Sequence, residues 1–165
     1  MNVELVPSNL VLAYCAGVID SDGCIGVRRS TYAMRVIQDC TQPTYSERVC
    51  VKQVEIQAVS LLHEHFGGYL QLAKPYARRG RPLHSWQVTD QRAARCLRLI
   101  LPFLRIKAEQ ARNGLWLRGL KDASKLLRIA PGRGHAGSAP RTPEMSAAMD
   151  AAYQRAKLLN MVGVR

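Results

Sequence analysis

The string Asp20-Ser21-Asp22-Gly23 sets two carboxylates beside a glycine, in a 165-residue chain where 24 Lys and Arg outnumber 12 Asp and Glu. Alone, such a string is a polar turn closing a helix, since D-x-D-G strings recur widely. The residues before it give it more meaning. Ala13, Ala16 and Gly17 stand at three- and four-residue spacing, so a helix carrying them has a face without bulk that a second helix can approach closely. Two copies packed in that way bring two Asp22 carboxylates together at adjacent helix ends, and like charges so placed require a cation between them. Mg2+ suits an all-oxygen site, and Mn2+ or Ca2+ could occupy it. Two ions flanking a phosphate can activate a water and stabilise a leaving oxygen, which is what cutting a phosphodiester bond on each strand of a duplex needs.

Other chemistries lack their residues. His63, His65, His84 and His135 show no metal-ligand spacing with a carboxylate or cysteine, and neither a Gly-rich phosphate loop nor a Ser/His/Asp arrangement is present. Cys15, Cys24, Cys40, Cys50 and Cys96 are odd in number and form no C-x-x-C pair, so they read as reduced thiols of an intracellular protein. The first residues, MNVELVPSNL, resemble neither a signal nor a transit peptide. There is no apolar run of about 18 residues, so a membrane is not the expected partner.

The elements that must position Asp22 follow from periodicity. Ser8, after Pro7, is a plausible N-cap for a helix with Leu10, Val11, Tyr14 and Val18 as its apolar spacing, ending near Asp20 to Gly23. From Cys24 the period becomes two: Ile25 and Val27 alternate with Gly26 and Arg28, and Val49 and Val51 alternate with Arg48, Cys50 and Lys52. Gln42-Pro43-Thr44 turns between these strands, and the register through Arg29 to Cys40 stays open. A helix over 54–66 with Ile56, Val59, Leu62 and Phe66 inward is closed by Gly67-Gly68. Leu70 and Leu72, then Trp86 and Val88, mark the inner face of a second strand pair.

Helices over about 91–101 and 107–127 are separated by Pro102, a basic connector spans about 131–143, and a last helix runs over about 144–160 with Met145, Met149, Tyr153, Ala156 and Leu159 as its stripe. The class is α+β, in the order α-β-β-α-β-β-α with a helical tail. Residues 1–165 are expected to form one domain with its core at about 8–127.

A net charge of +12 attracts polyanions, which makes nucleic acid the leading partner. The outward strand residues are the natural readers of double-stranded DNA: Arg28, Ser30 and Tyr32 on the first strand, Arg48 on the second, Tyr69 and Gln71 on the third, Ser85 and Gln87 on the fourth. Antiparallel strands can lie along the major groove, where Arg pairs with guanine and Gln with adenine. Lys74, Arg78, Arg79 and Arg81, in the loop between the third and fourth strands, are expected to hold phosphates, which gives affinity without sequence information.

The segment Cys15-Ala16-Gly17-Val18-Ile19-Asp20-Ser21-Asp22-Gly23 resembles the signature of the LAGLIDADG homing endonucleases at six of nine positions. Val51-Lys52-Gln53, fourteen residues before Gly67, looks like that family's strand end and following helix. Pro102-Phe103-Leu104-Arg105-Ile106-Lys107-Ala108-Glu109-Gln110 is similar to its P-F-L-x-x-K-x-x-Q segment. The resemblance implies that Asp22 coordinates a divalent metal with the Ser21 backbone carbonyl, that Gln53 orients active-site water, and that Lys107 enters the active site as a point charge. It also implies the family fold, with a curved antiparallel sheet and C-terminal helices. On local grounds Gln53 is equally a solvated residue at a helix start, and Lys107 a solvated lysine. One motif per chain implies a homodimer through Ala13, Ala16 and Gly17, cutting a long near-palindromic DNA site. The alternatives are a non-catalytic relative, serving as an RNA maturase or transcriptional regulator, and a basic structural protein of a nucleoprotein particle.

Overall fold

Ser8 caps the first helix: its side chain accepts a hydrogen bond from the Val11 N–H at 3.4 Å, and α1 runs over Asn9–Asp22. The computed structural model describes residues 7–31, 42–73, 82–127 and 141–162. Tyr32, Cys40, Lys74, Arg78, Arg79, Arg81, His135 and most of the expected connector lie outside the described residues. After α1 come β1 (Gly23–Ser30), β2 (Thr44–Gln53), α2 (Ile56–Phe66), β3 (Tyr69–Ala73), β4 (Leu83–Thr89) and α3 (Asp90–Ile100). A 3-10 turn over Leu101–Phe103 contains Pro102, and α4 (Ala108–Leu127) and α5 (Pro143–Val162) follow. The expected order α-β-β-α-β-β-α with a helical tail is the observed one.

The strands form one antiparallel sheet in the order β1-β2-β4-β3. Gly23 stands opposite Val51 and Ser30 opposite Thr44, so the alternation in the two strands matches across the pair. One face carries Ile25, Val49, Val51, Trp86 and Val88, which pack against Cys15 and Ile19 of α1, Val59 and Leu62 of α2, and Leu97 and Ile100 of α3. Trp86, fully buried, donates its indole N–H to the Gly67 carbonyl at 2.8 Å, so the largest core side chain leaves no polar atom unpaired. A smaller cluster of Tyr45, Leu117, Met149 and Ala152 joins α5 to α4 and the start of β2.

Two helices turn differently from the expected stripes. In α1 the buried residues are Leu12, Cys15, Ala16, Val18, Ile19 and Asp20, whereas Leu10 and Tyr14 are 84% and 53% exposed. α1 is apolar on nearly every side, so helical period alone does not say which face turns inward. In α2 Val59, Leu62 and Phe66 are buried as expected, and Ile56, in its first turn, is exposed.

The inner face of the sheet also holds a charge. Glu47 is completely buried and accepts from Arg118 Nε and, at 2.9 Å, from Lys121 Nζ, both on α4. Lys121 also reaches Asp90 at 2.5 Å, at the start of α3. A buried carboxylate is tolerable only with such partners.

β1 is an edge strand, and α5 covers part of that edge: the Asn160 side-chain amide donates to the Ile25 carbonyl at 3.1 Å. Among the described residues no helix is long and apolar enough to cross a membrane.

The α2–β3 turn depends on two glycines at φ +63° and +95°. A Cβ on Gly68 would lie 2.4 Å from Val88 Cγ1 and 2.5 Å from the Gln87 carbonyl oxygen. Gly68→Ala is expected to lower unfolding free energy by about 1–3 kcal/mol in urea titrations, and an unchanged midpoint would show that the turn can relax away from β4.

Candidate active site and nucleic-acid interface

A helix that ends against other elements leaves its last carbonyls in need of donors. At the end of α1 the Lys107 ammonium supplies them, donating to the carbonyls of Ile19 at 2.8 Å, Asp20 at 2.6 Å and Ser21 at 3.4 Å. The contact is returned. The buried Asp20 carboxylate accepts the backbone N–H groups of Arg105 at 2.6 Å, Ile106 at 3.2 Å and Lys107 at 2.9 Å. α1 and the loop leading into α4 are therefore clamped in both directions. Glycine is required where α1 turns into β1, because a Cβ on Gly23 would lie 2.6 Å from the Ile19 carbonyl oxygen.

This clamp brings the expected residues together. Asp22, the last residue of α1, is exposed, and Gln53, the last residue of β2, donates its side-chain amide to Asp22 Oδ2 at 2.5 Å. The Ser21 hydroxyl turns back to the Val18 carbonyl at 3.2 Å, while the Ser21 backbone carbonyl lies within reach of Lys107. Asp22, the Ser21 carbonyl, Gln53 and Lys107 thus converge from three elements. The acceptors are all oxygens, a donor set that suits a hard divalent cation. Each chain supplies one such carboxylate, and no group of three His, Cys, Asp or Glu that could hold a metal ion occurs among the described residues.

The outer face of α1 carries Leu10, Ala13, Tyr14, Gly17 and Ser21, all exposed, and a Cβ added at Gly17 would meet nothing within 4 Å. Ala16 does not share this face. It is fully buried in the chain's own core, so the bare stripe is Ala13 and Gly17.

The other face of the sheet carries the expected DNA readers that lie among the described residues. Strand register places Arg28 opposite Ser46, and Arg48 between Gly26 and Thr89. A row of four, Cys24, Cys50, Gln87 and Tyr69, crosses all the strands, and Lys52, Ser85 and Gln71 form the next. Ser30 stands on the same face opposite Thr44. The same alternation puts Ser46, Lys52 and Thr89 on this face beside them.

Positive charge reaches this face near Asp22. The hydrogen bond from the Cys50 thiol, with the charges of Arg48 and Lys107, brings the Cys24 thiol down to about 6 against the opposing effect of burial. Cys50 is pushed up by the same bond and by burial.

Asp20 is the residue that sequence reasoning missed, although it lies inside the quoted motif. Asp20→Ala would leave three backbone donors unpaired and release the start of α4. The expected loss is about 1.5–3 kcal/mol of stability, with faster amide exchange at residues 105–107. Wild-type stability and exchange in that variant would show that the clamp holds nothing.

No family sequence profile matches the chain, and neither does any curated protein sequence. Solved structures do match. The homing endonuclease I-CvuI, solved in complex with its target in the presence of calcium, is 18% identical with a TM-score of 0.58, covering 91% of this chain and 82% of that one. The homing endonuclease I-TnaI is 15% identical at a TM-score of 0.58, covering 91% and 95%. The archaeal intron-encoded homing endonuclease I-Vdi141I, solved with DNA, is 13% identical at 0.52, covering 91% and 98%. With the motif, element order and sheet described above, these likenesses settle the architecture: the chain has the LAGLIDADG homing-endonuclease fold.

Proposed function

We propose that the chain is a sequence-specific DNA endonuclease of the LAGLIDADG homing family, dependent on a divalent metal and acting as a homodimer on a long near-palindromic site. The observation that carries this reading is the convergence of Asp22, the Ser21 carbonyl, Gln53 and Lys107 at the end of a helix whose outer face has a bare stripe at Ala13 and Gly17. The DNA complexes of I-CvuI and I-Vdi141I support it by analogy of fold.

Asp22 and the Ser21 carbonyl would hold the cation, with the Asp22 of a second copy completing the site. When bound, the ion supplies Lewis acidity and lowers the pKa of water. Gln53 uses its amide N–H on Asp22, which fixes the carboxylate and leaves its own carbonyl oxygen to accept a hydrogen bond from the attacking water. Lys107, held on the carbonyls of α1, adds a fixed positive charge that stabilises negative charge developing on the phosphate. Arg28, Gln71, Ser85 and Gln87, arrayed on the outer sheet face, read base edges in the major groove, with the charge of Arg48 among them.

Incubating the chain with a randomised duplex library in magnesium, and sequencing the cut ends, is expected to return one symmetric site cut on both strands. Asp22→Asn should abolish cleavage and leave binding to that site largely intact. Cleavage that persists in this variant would remove Asp22 from the chemistry, and binding without any wild-type cleavage would favour a regulator or maturase. Gly17→Leu has open space within its own chain, so its melting temperature should stay near wild type while sedimentation shows loss of the dimer. An undisturbed dimer would move the interface off α1.

A further inference from the structure

Between β1 and α5 lies a cavity of 520 Å³ whose wall includes Arg28, Arg29, Arg48 and Lys157. No carboxylate lines it among the described residues. Arg29 is partly answered by Asp150 at 3.6 Å, beside the cavity. Arg48 is not: its Nε is buried without a hydrogen-bond partner. A buried guanidinium nitrogen left unpaired is costly, so it calls for a partner drawn from the cavity, a water or an anion. The cavity floor is bare at Gly26, where an added Cβ would meet only the Asn160 amide, at 3.5 Å.

The α5 wall is fixed in place. The Asn160 side chain bonds the Ile25 carbonyl at 3.1 Å, Tyr45 donates its hydroxyl to Asp150 at 2.8 Å, and the Asn113 side-chain amide bonds the Ala152 carbonyl at 2.8 Å. Lys157 is exposed and holds its ammonium 5.7 Å from the centre of the Tyr153 ring. Four cations answered, among the described residues, only by Asp150 beside them and the Cys24 thiol on the wall keep a positive excess that favours an incoming anion. The cavity is open to the sheet face on which Arg28 and Arg48 stand, so the anion best placed to enter belongs to whatever lies on that face.

We propose that α5 is a second wall of the DNA-binding surface and that Lys157, with Arg48, seats one backbone phosphate of the duplex lying on the sheet. The inference rests on the DNA-binding reading above and extends it to a helix outside the motif and the strands. Such a contact adds affinity and salt dependence but no base preference.

The test is the salt dependence of duplex binding by the full chain, as wild type, Lys157→Ala and Lys157→Arg. For Lys157→Ala the slope of log affinity against log salt should fall by ~0.9 for each bound chain, with affinity reduced several-fold on every duplex alike. Lys157→Arg should restore the slope, and the cleaved consensus should be the same in all three. An unchanged slope in Lys157→Ala, with wild type still selecting its site, overturns the seat and leaves the endonuclease reading intact. A loss confined to one base position also overturns it, because Lys157 would then read sequence. If wild type binds no duplex, the DNA reading itself falls. Calorimetry with inorganic pyrophosphate then reads the cavity alone: Lys157-dependent binding reassigns it to a free phosphate and overturns the duplex assignment, and no binding overturns it as an anion seat.

Discussion

The carbonyls at the C-terminus of α1 carry partial negative charge and point toward the loop that starts α4, where the Lys107 ammonium meets them. In return the Asp20 carboxylate takes three backbone N–H groups of that loop. Hydrogen bonds to charged groups contribute about 1.5–3 kcal/mol each, and here they act in a partly buried joint where water competes poorly. Everything at the candidate active site hangs from this joint. The Ser21 carbonyl and Asp22 lie one and two residues beyond Asp20, so fixing Asp20 fixes them. Pro102 contributes from a distance: it sits in the 3-10 turn where α3 ends, and so helps bring residues 105–107 to the end of α1.

α4 is gripped twice. The Asp20–Lys107 exchange holds its start, and Arg118 and Lys121 reach Glu47 in the middle of β2 from further along the helix. A buried ion network of this kind adds little net stability over apolar packing, but it admits few alternative registers, since any slip leaves Glu47 unpaired. The sheet and the loop bearing Lys107 are thereby held in one geometry, which keeps the candidate site residues of α1, β2 and that loop together.

The strands were legible because one of their faces is wet: Ile25 against Gly26, Val49 against Arg48 and Trp86 against Gln87 differ enough in polarity for a period of two to stand out. That same contrast put the expected readers among the described residues on a common face. α1 was legible in its limits, through Ser8 and Gly23, but not in its orientation. Leu10 and Tyr14 belong outside and Ala16 inside, and with apolar residues all round nothing in the local pattern separates them. Asp20 was hidden for a different reason. Its partners are backbone amides some 85 residues away in sequence, and a backbone amide has no letter. Glu47 and the α5 wall share that difficulty, since Arg118, Lys121 and Lys157 are exposed-looking cations until the fold shows what faces them.

The distribution of apolar and charged surface bears on how the two half-sites would meet. Leu10 and Tyr14 lie exposed along α1, Val54 follows Gln53, and Ile106 precedes Lys107, so exposed apolar groups run along α1 and flank the candidate site at its end. Arg28, Arg48 and Lys52 stand on the opposite side of the sheet from α1. Two chains of charge +12 repel, but charges on the outer sheet faces would stand away from an α1 interface by more than the roughly 8 Å over which physiological salt screens them. Apolar burial can then draw the chains together with little opposition from those sheet-face charges. A duplex across both sheets would neutralise the charges that remain. In the proposed enzyme, assembly of the two-fold site and capture of DNA thus reinforce each other through separate faces of one fold.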